Sequence, residues 1–279
     1  MRGQVRAHVS ELIAEHAASF TPSERQIANR LLGDPVATGF ASATDLAQQL
    51  GISASTVVRF AQSLGFRGWL ELQAAIKHES TERQRLVDMA PVEGRFLTAF
   101  INTEVYNLNY MLGQDEELEA AAGLLAGCST LWLVGNRASL FVASVANHFL
   151  NMTRPGVRLL AGDVHVTPDQ LLDVGPGQAA LVVCISRYSQ ATLDLTRYLA
   201  ETMPVVLLTD EFASPLLPHA TVCLRFATAG VSSWKSSTAA FSMTQALVMA
   251  VARKTPGARE RLNQAEELWR EFGTYSEEQ

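Results

Sequence analysis

The stretch Ala43-Thr44-Asp45-Leu46-Ala47-Gln48-Gln49-Leu50-Gly51-Ile52-Ser53-Ala54-Ser55-Thr56-Val57-Val58-Arg59-Phe60 has the spacing of two short helices joined by a tight turn. Leu46, Ala47 and Leu50 recur at helical intervals and give the first helix a buried stripe. Ala47 is small where the second helix must cross close to it. Gly51 supplies a left-handed turn residue, a conformation that a β-carbon disfavours. Ile52 plugs the core from the turn, and Ser53 caps the second helix. Val57, Val58 and Phe60 face partly inward, which leaves Ala54, Ser55, Thr56 and Arg59 near the exposed N-terminal half. The pattern is that of a helix-turn-helix, whose second helix presents this half to base edges and phosphates.

Each polar residue on that face has a chemical reading. Arg59 pairs with guanine or with a phosphate. Ser55 and Thr56 are short enough to approach phosphate oxygens or a thymine methyl, beside Ser53 at the helix start. Arg67 and Lys77 add contacts to the DNA backbone. The competing reading is a helical hairpin that serves dimerisation alone, with Arg59 solvated. The small Ala, the turn Gly, the turn Ile and the polar cap in register favour DNA.

Helical spacing extends through the rest of residues 1–78. Val5, Val9, Leu12 and Ile13 form one apolar stripe, and Ile27, Leu31 and Leu32 form another after Thr21-Pro22-Ser23-Glu24. Pro22 fits a first turn, where its missing N–H costs nothing, and Asp34-Pro35 stops that helix. This part of the chain carries seven bases and six acids, against 15 and 22 in the remainder. Between Gly51 and Lys77 the only acid is Glu71. A net charge of −6 over 279 residues excludes a globally basic, histone-like binder and leaves room for this local basic surface.

From Thr130 the rhythm changes. Short apolar runs at Thr130–Val134, Val157–Leu160, Ala179–Ile185, Val205–Thr209 and Thr221–Phe226 alternate with helical stretches at Leu140–Met152, Thr192–Met203 and Ser237–Arg253. Phe96–Gly113 and Glu116–Ala126 read as helices leading in, and Ser214–His219 as a turn. Strands separated by helices imply a five-stranded parallel sheet with helices on both faces. The expected organisation is an all-α helix-turn-helix domain over 1–78, a polar linker over 79–91 and a three-layer α/β domain over 92–279. Cys128, Cys184 and Cys223 lie far apart without metal-ligand spacing and read as reduced cysteines of a cytoplasmic protein. No stretch approaches a membrane span of roughly 18–20 apolar residues, and the N-terminus lacks a signal-peptide core.

Thr-Pro-Ser-Glu-Arg-Gln-Ile-Ala (21–28), the helix-turn-helix, Ser-Thr-Val-Val-Arg-Phe (55–60) and Leu-Gly-Phe-Arg-Gly-Trp (64–69) resemble the N-terminal domain of MurR/RpiR-type transcriptional regulators. The resemblance covers nearly the whole chain. It implies a C-terminal sugar isomerase (SIS) domain that binds a phosphosugar or related sugar acid.

In an open parallel sheet, ligands bind beyond the carboxyl ends of the strands, where helix N-termini offer free N–H groups and a positive dipole end. Two loops qualify. Gly135-Asn136-Arg137-Ala138-Ser139 resembles the SIS Gly-x-Gly-x-Ser loop, with Gly135 and Ser139 matching and Arg137 in the second glycine position. Ser186-Arg187-Tyr188-Ser189-Gln190-Ala191-Thr192 resembles Ser-x-Ser-Gly-x-Thr, with Ser189 and Thr192 matching, Gln190 in place of Gly and one extra residue before Ser189. The resemblance therefore implies ligand contacts at Gly135, Asn136, Arg137, Ser139, Ser186, Arg187, Ser189 and Thr192. Two readings of the arginines stand side by side. In one they bind carboxylate or phosphate as bidentate donors; in the other they pair with Asp163, Asp210 or a partner-chain acid.

Other features carry less. Asp210 borders the pocket or, the favoured reading, caps a helix; Tyr188 closes over the ligand or packs; Lys235 reaches an anion from the neighbouring subunit or belongs to a plain N-terminal cap of the last long helix. His165 near Asp163 reads as a surface loop, so no metal or cofactor is expected. SIS enzymes position a Glu or His against the sugar carbon; no such constellation is legible, and Glu104 is the acid to check. The expected function is a homodimeric or homotetrameric regulator that binds a double-stranded DNA operator and senses a small anionic metabolite. The alternatives are an SIS-fold isomerase or lyase with a helical accessory domain, and a metabolite-binding module whose N-terminus contacts only proteins.

Overall fold

The structure, a computed structural model, describes residues 9–33, 38–39, 41–76, 95–160, 167–186, 188–212, 214–231 and 235–275. Lys77, the 79–91 linker, Asp163, His165 and Arg187 lie outside the described residues. By packing, the chain divides into two compact units. The first comprises Met1–Asn107, Glu211–Pro218 and Thr228–Ser236, and the second Leu108–Asp210, His219–Ala227 and Ser237–Gln279.

In the first unit α1 (Val9–His16), α2 (Pro22–Gly33), α3 (Ala43–Leu50), α4 (Ala54–Ser63) and α5 (residues 69–76) enclose a core of Ile13, Ile27, Leu31, Leu46, Phe60 and Leu72. The starts of α2 and α3 are specified locally. Thr21 and Glu24 form a reciprocal pair before α2: the Thr21 N–H donates to the Glu24 carboxylate at 2.9 Å and the Glu24 N–H donates to Thr21 Oγ1 at 3.3 Å. Ser42 and Asp45 do the same for α3. Such a box satisfies two N–H groups that a helix leaves without partners. The Trp69 indole N–H donates to the Ala41 carbonyl at 3.0 Å, tying α5 to the start of α3. α6 (Phe96–Asn109) belongs to this unit over most of its length.

The second unit is a three-layer sandwich. Its five strands, β1 (Leu131–Val134), β2 (Val157–Leu160), β3 (Ala179–Cys184), β4 (Val205–Asp210) and β5 (Val222–Phe226), are all parallel, in the order β2-β1-β3-β4-β5. α7 (Asp115–Gly127), α8 (Ala138–Thr153) and α10 (Thr238–Lys254) pack on one face, against Leu131, Leu133, Leu181, Val183, Val206, Leu208 and Phe226. α9 (Gln190–Ala200) packs on β3 and β4 from the other face. β1, β3 and β4 are buried along their whole length, which is why they read as continuous apolar runs rather than alternating ones.

All five expected strands form, with ends within one residue. The sequence reading did not anticipate α11 (Ala258–Glu271), a mostly exposed helix after Gly257 that packs on α8, where the Arg261 guanidinium donates to the Asn151 carbonyl at 2.9 Å.

Strand order decides where a ligand fits. After β1 the chain crosses to β2 on one side, then returns to β3 on the other. The topological switch point therefore lies between β1 and β3, and the loops leaving these two strands border the crevice where open α/β sheets bind ligands.

Candidate functional site

The helix-turn-helix surface follows from its turn. Gly51 has φ 66° and ψ 32°, and the N–H groups of Gly51 and Ile52 close the end of α3 on Gln48 and Ala47. Ser53 Oγ accepts from the Thr56 N–H at 3.2 Å and shares hydrogen bonds with the hydroxyls of Ser55 and Thr56, each at 2.8 Å. Val57, Phe60 and Ala61 are buried, which turns Ser55 and Arg59 outward. Arg67 is exposed and its guanidinium pairs with Glu71 at 3.3 Å. Ser53, Ser55, Thr56 and Arg59 thus share the start of α4, with Ser53 also serving as its cap.

The two sheet loops are bolted together. The Asn136 side-chain amide donates to Thr192 Oγ1 at 2.8 Å, and the Ile185 N–H donates to Ser139 Oγ at 3.2 Å. Ser139 and Thr192 are buried. Gly135 has no alternative: a β-carbon there would lie 2.7 Å from the Ser139 carbonyl oxygen. The chain needs that close approach to enter α8 directly from β1.

Arg137, which the sequence reading set against the second glycine of the loop pattern, has a glycine-like backbone, with φ 56° and ψ −126°. Among the described residues it is the only non-glycine with positive φ. This ψ falls outside the left-handed helical region, so the conformation costs on the order of 1–3 kcal/mol. Its side chain is exposed, and among the described residues the guanidinium has no ion-pair or hydrogen-bond partner. Pairing of Arg137 with Asp210 does not occur.

Asp210 differs from the expectation of a helix cap. It ends β4, is fully buried, and accepts three donors from the loop after β3: the Ser186 N–H at 2.9 Å, the Ser186 hydroxyl and the Tyr188 hydroxyl at 3.1 Å. Ser186 is therefore held by protein rather than left open, and Tyr188 fixes the carboxylate. Ser189 begins α9 without a side-chain cap, and among the described residues its hydroxyl has no partner. Burial pushes the thiol of Cys184, at the end of β3, up to about 12, and the Asp210 charge adds to the shift.

The remaining candidates sit in the first unit. Glu104 is buried on α6, where Oε2 accepts from the Asn107 amide at 3.2 Å and Oε1 has no partner among the described residues. Asn107 grips the Ala229 backbone through both its N–H and C=O. Lys235 lies 3.9 Å above the Phe212 ring rather than capping a helix. Arg25, which sequence reasoning passed over, donates to the carbonyls of Phe20 at 3.1 Å and Ser214 at 2.8 Å. An arginine in a helix carries no sign of distant carbonyl partners.

Comparison with known proteins matches both parts of the chain. Residues 7–83 match the helix-turn-helix domain of the rpiR family, and residues 124–250 match the SIS domain. An HTH-type transcriptional regulator of Caldanaerobacter subterraneus subsp. tengcongensis is 27% identical over 194 residues, 67% of each chain. The sugar isomerase domain of an RpiR transcription factor from Sphaerobacter thermophilus is 26% identical, with a TM-score of 0.57 over 62% of this chain and 99% of that one. The Vibrio vulnificus NanR protein, solved in complex with ManNAc-6P, shares the fold at 18% identity and a TM-score of 0.60, covering 94% of this chain and 98% of that one. The chain thus carries a helix-turn-helix domain of the rpiR family followed by a SIS domain, and it is similar to HTH-type transcriptional regulators.

Proposed function

We propose that this regulator reads an operator half-site with the start of α4 and senses a phosphosugar or related sugar acid at the β1 and β3 loops. In this reading Arg59, Ser55 and Thr56 reach the duplex, Ser53 sets the helix start, and Arg67 and Lys77 hold phosphates. Arg137, Arg187, Ser189 and the first turn of α9 take the ligand's anionic group, while Gly135, Asn136, Ser139, Ser186 and Thr192 shape the loops. The observation that carries it is the crevice itself: two loops at the switch point of a parallel sheet, each opening a helix N-terminus, with an arginine at one and a serine at the other whose side chains have no partner among the described residues. The ligand bound by NanR is a sugar phosphate, which has the same chemistry. No enzymatic activity is assigned to these loops.

The regulator works as a cytoplasmic homodimer or homotetramer, divided as 1–78, 79–91 and 92–279. Self-association is supported by α6, whose only charged residue, Glu104, is buried while Phe96, Leu97, Ile101 and Val105 remain exposed. An uncharged apolar stripe fits its own copy across a two-fold axis, and two-fold pairing matches a near-palindromic operator.

A thermal-shift screen of sugar phosphates and sugar acids on the full chain tests the ligand class. A true effector at 100 times its dissociation constant adds about 2.7 kcal/mol of stability. A screen in which no phosphorylated or carboxylated sugar shifts the transition contradicts the reading, and so does turnover of any of them.

A further inference from the structure

The exposed face of α4 falls into two parts. At its start the hydroxyls are engaged: Ser55 and Thr56 share hydrogen bonds with Ser53, each at 2.8 Å. Further along, Arg59 and Gln62 are exposed, and neither side chain has a partner among the described residues. They are the two long polar side chains of the helix. Their neighbours are engaged elsewhere: the Ser63 hydroxyl donates to the Phe60 carbonyl at 2.8 Å, and Arg67 pairs with Glu71 at 3.3 Å.

Ser55, Val58, Arg59 and Gln62 stand at i, i+3, i+4 and i+7, along one face of the helix, while Val57, Phe60 and Ala61 are buried. A recognition helix in the major groove uses this spacing to follow successive base pairs. Arg59 and Gln62 are separated by about 4.5 Å along the helix axis, close to the roughly 3.4 Å between stacked bases.

We infer that Gln62 is a specificity-determining residue for DNA: its side-chain amide reads an adenine about one base pair from the contact of Arg59. A glutamine amide sets one acceptor beside donors, which matches the N6 donor and N7 acceptor of an adenine edge in the major groove. A phosphate offers acceptors only and would leave the amide oxygen unused. The half-site therefore includes an adenine whose identity is read from the third turn of α4. This rests on the assignment of α4 as the DNA-reading helix, and extends it by one residue and one base.

The test titrates the full chain onto its own promoter fragment by fluorescence anisotropy, with each base pair of the footprinted half-site replaced in turn. In the wild type, replacing the adenine weakens binding about 5–150-fold. Gln62→Ala reduces that penalty to about twofold or less and leaves the penalties at other pairs, and the salt slope, as they were. Gln62→Glu, which accepts from the N4 of cytosine, moves the preference at that one pair from adenine to cytosine. Equal weakening of every fragment by Gln62→Ala, no change in any, or an adenine preference that survives in either variant overturns the inference alone, provided Arg59→Ala still weakens DNA binding. If Arg59→Ala also leaves every fragment unaffected, α4 is not the reading helix, and the assignment falls with the inference.

Discussion

The helix-turn-helix and the sheet crevice are both built from turns that open helices, yet they are specified in different ways. In the helix-turn-helix unit the bonds that start the helices are local. Thr21 bonds Glu24, Ser42 bonds Asp45, and Ser53 bonds Thr56, each three residues apart. In the crevice the contacts span the chain: Asn136 bonds Thr192, Ile185 bonds Ser139, and Ser186 bonds Asp210, at separations of 56, 46 and 24 residues. Local bonds tolerate little change in sequence pattern. The crevice holds Arg137 in a backbone conformation that favours glycine, and its loops are joined by side chains distant in sequence.

That contrast can be broken first at Gly135. Gly135→Ala drives a β-carbon to within 2.7 Å of the Ser139 carbonyl, and backbone cannot give way cheaply there. Urea unfolding should show a loss of about 3 kcal/mol or more, the range of overpacked and strained sites. A loss below about 1 kcal/mol would mean that the loop is far more plastic than its contacts suggest.

Arg137 sharpens the comparison with effects of opposite sign. Arg137→Gly removes the backbone strain, so stability rises by about 1–2 kcal/mol while affinity for an anionic effector falls. Parallel thermal and calorimetric titrations separate the two. A variant that loses stability shows that the side chain, not the backbone, holds the loop.

On the DNA side, Arg59→Ala costs roughly 1–3 kcal/mol at one base position, or about one unit of salt slope if the contact is to phosphate. Fluorescence anisotropy at several salt concentrations distinguishes the two. No effect on DNA at all would return the N-terminal domain to the role of a protein-contact hairpin. Of smaller size, Ser42→Ala removes one half of a capping box and should cost about 1 kcal/mol of stability in chemical denaturation.

The effect of Cys184 is nil at neutral pH and emerges only in alkali. Its folded thiol titrates near 12 against 9.0 when exposed. The protonated thiol is retained in the folded state above pH 9 while the unfolded chain gives up its proton. Stability is therefore unaffected below pH 9 and declines between pH 9 and 12. Cys184→Ala should flatten that decline, and at neutral pH the thiol should resist alkylation until the domain unfolds.

These differences explain what could be read before the structure. Gly51, Ser53 and the stripe of Leu46 and Ala47 were legible because each acts on its own stretch of backbone. The five strands were legible because full burial leaves continuous apolar runs. The β1 and β3 loops could be picked out as helix starts, and strand order placed both at the switch point. Asp210 was misread as a helix cap because its partners, Ser186 and Tyr188, lie across a strand boundary that no spacing rule encodes. Arg137 was visible as an oddity in a glycine position, but its positive φ is a property of the folded loop. α11 escaped notice because it is mostly polar and buries little beyond Ala258.

The central claim is that occupancy of the crevice changes the grip of α4 on DNA. It is tested most directly by titrating the full chain onto its own promoter fragment, with and without a saturating sugar phosphate that shifts its thermal transition. The account predicts binding in preference to random fragments and a change in dissociation constant of about 5–150-fold on adding the ligand, equivalent to about 1–3 kcal/mol of coupling. Equal binding to promoter and random DNA, or a promoter affinity indifferent to a ligand known to be bound, would contradict it.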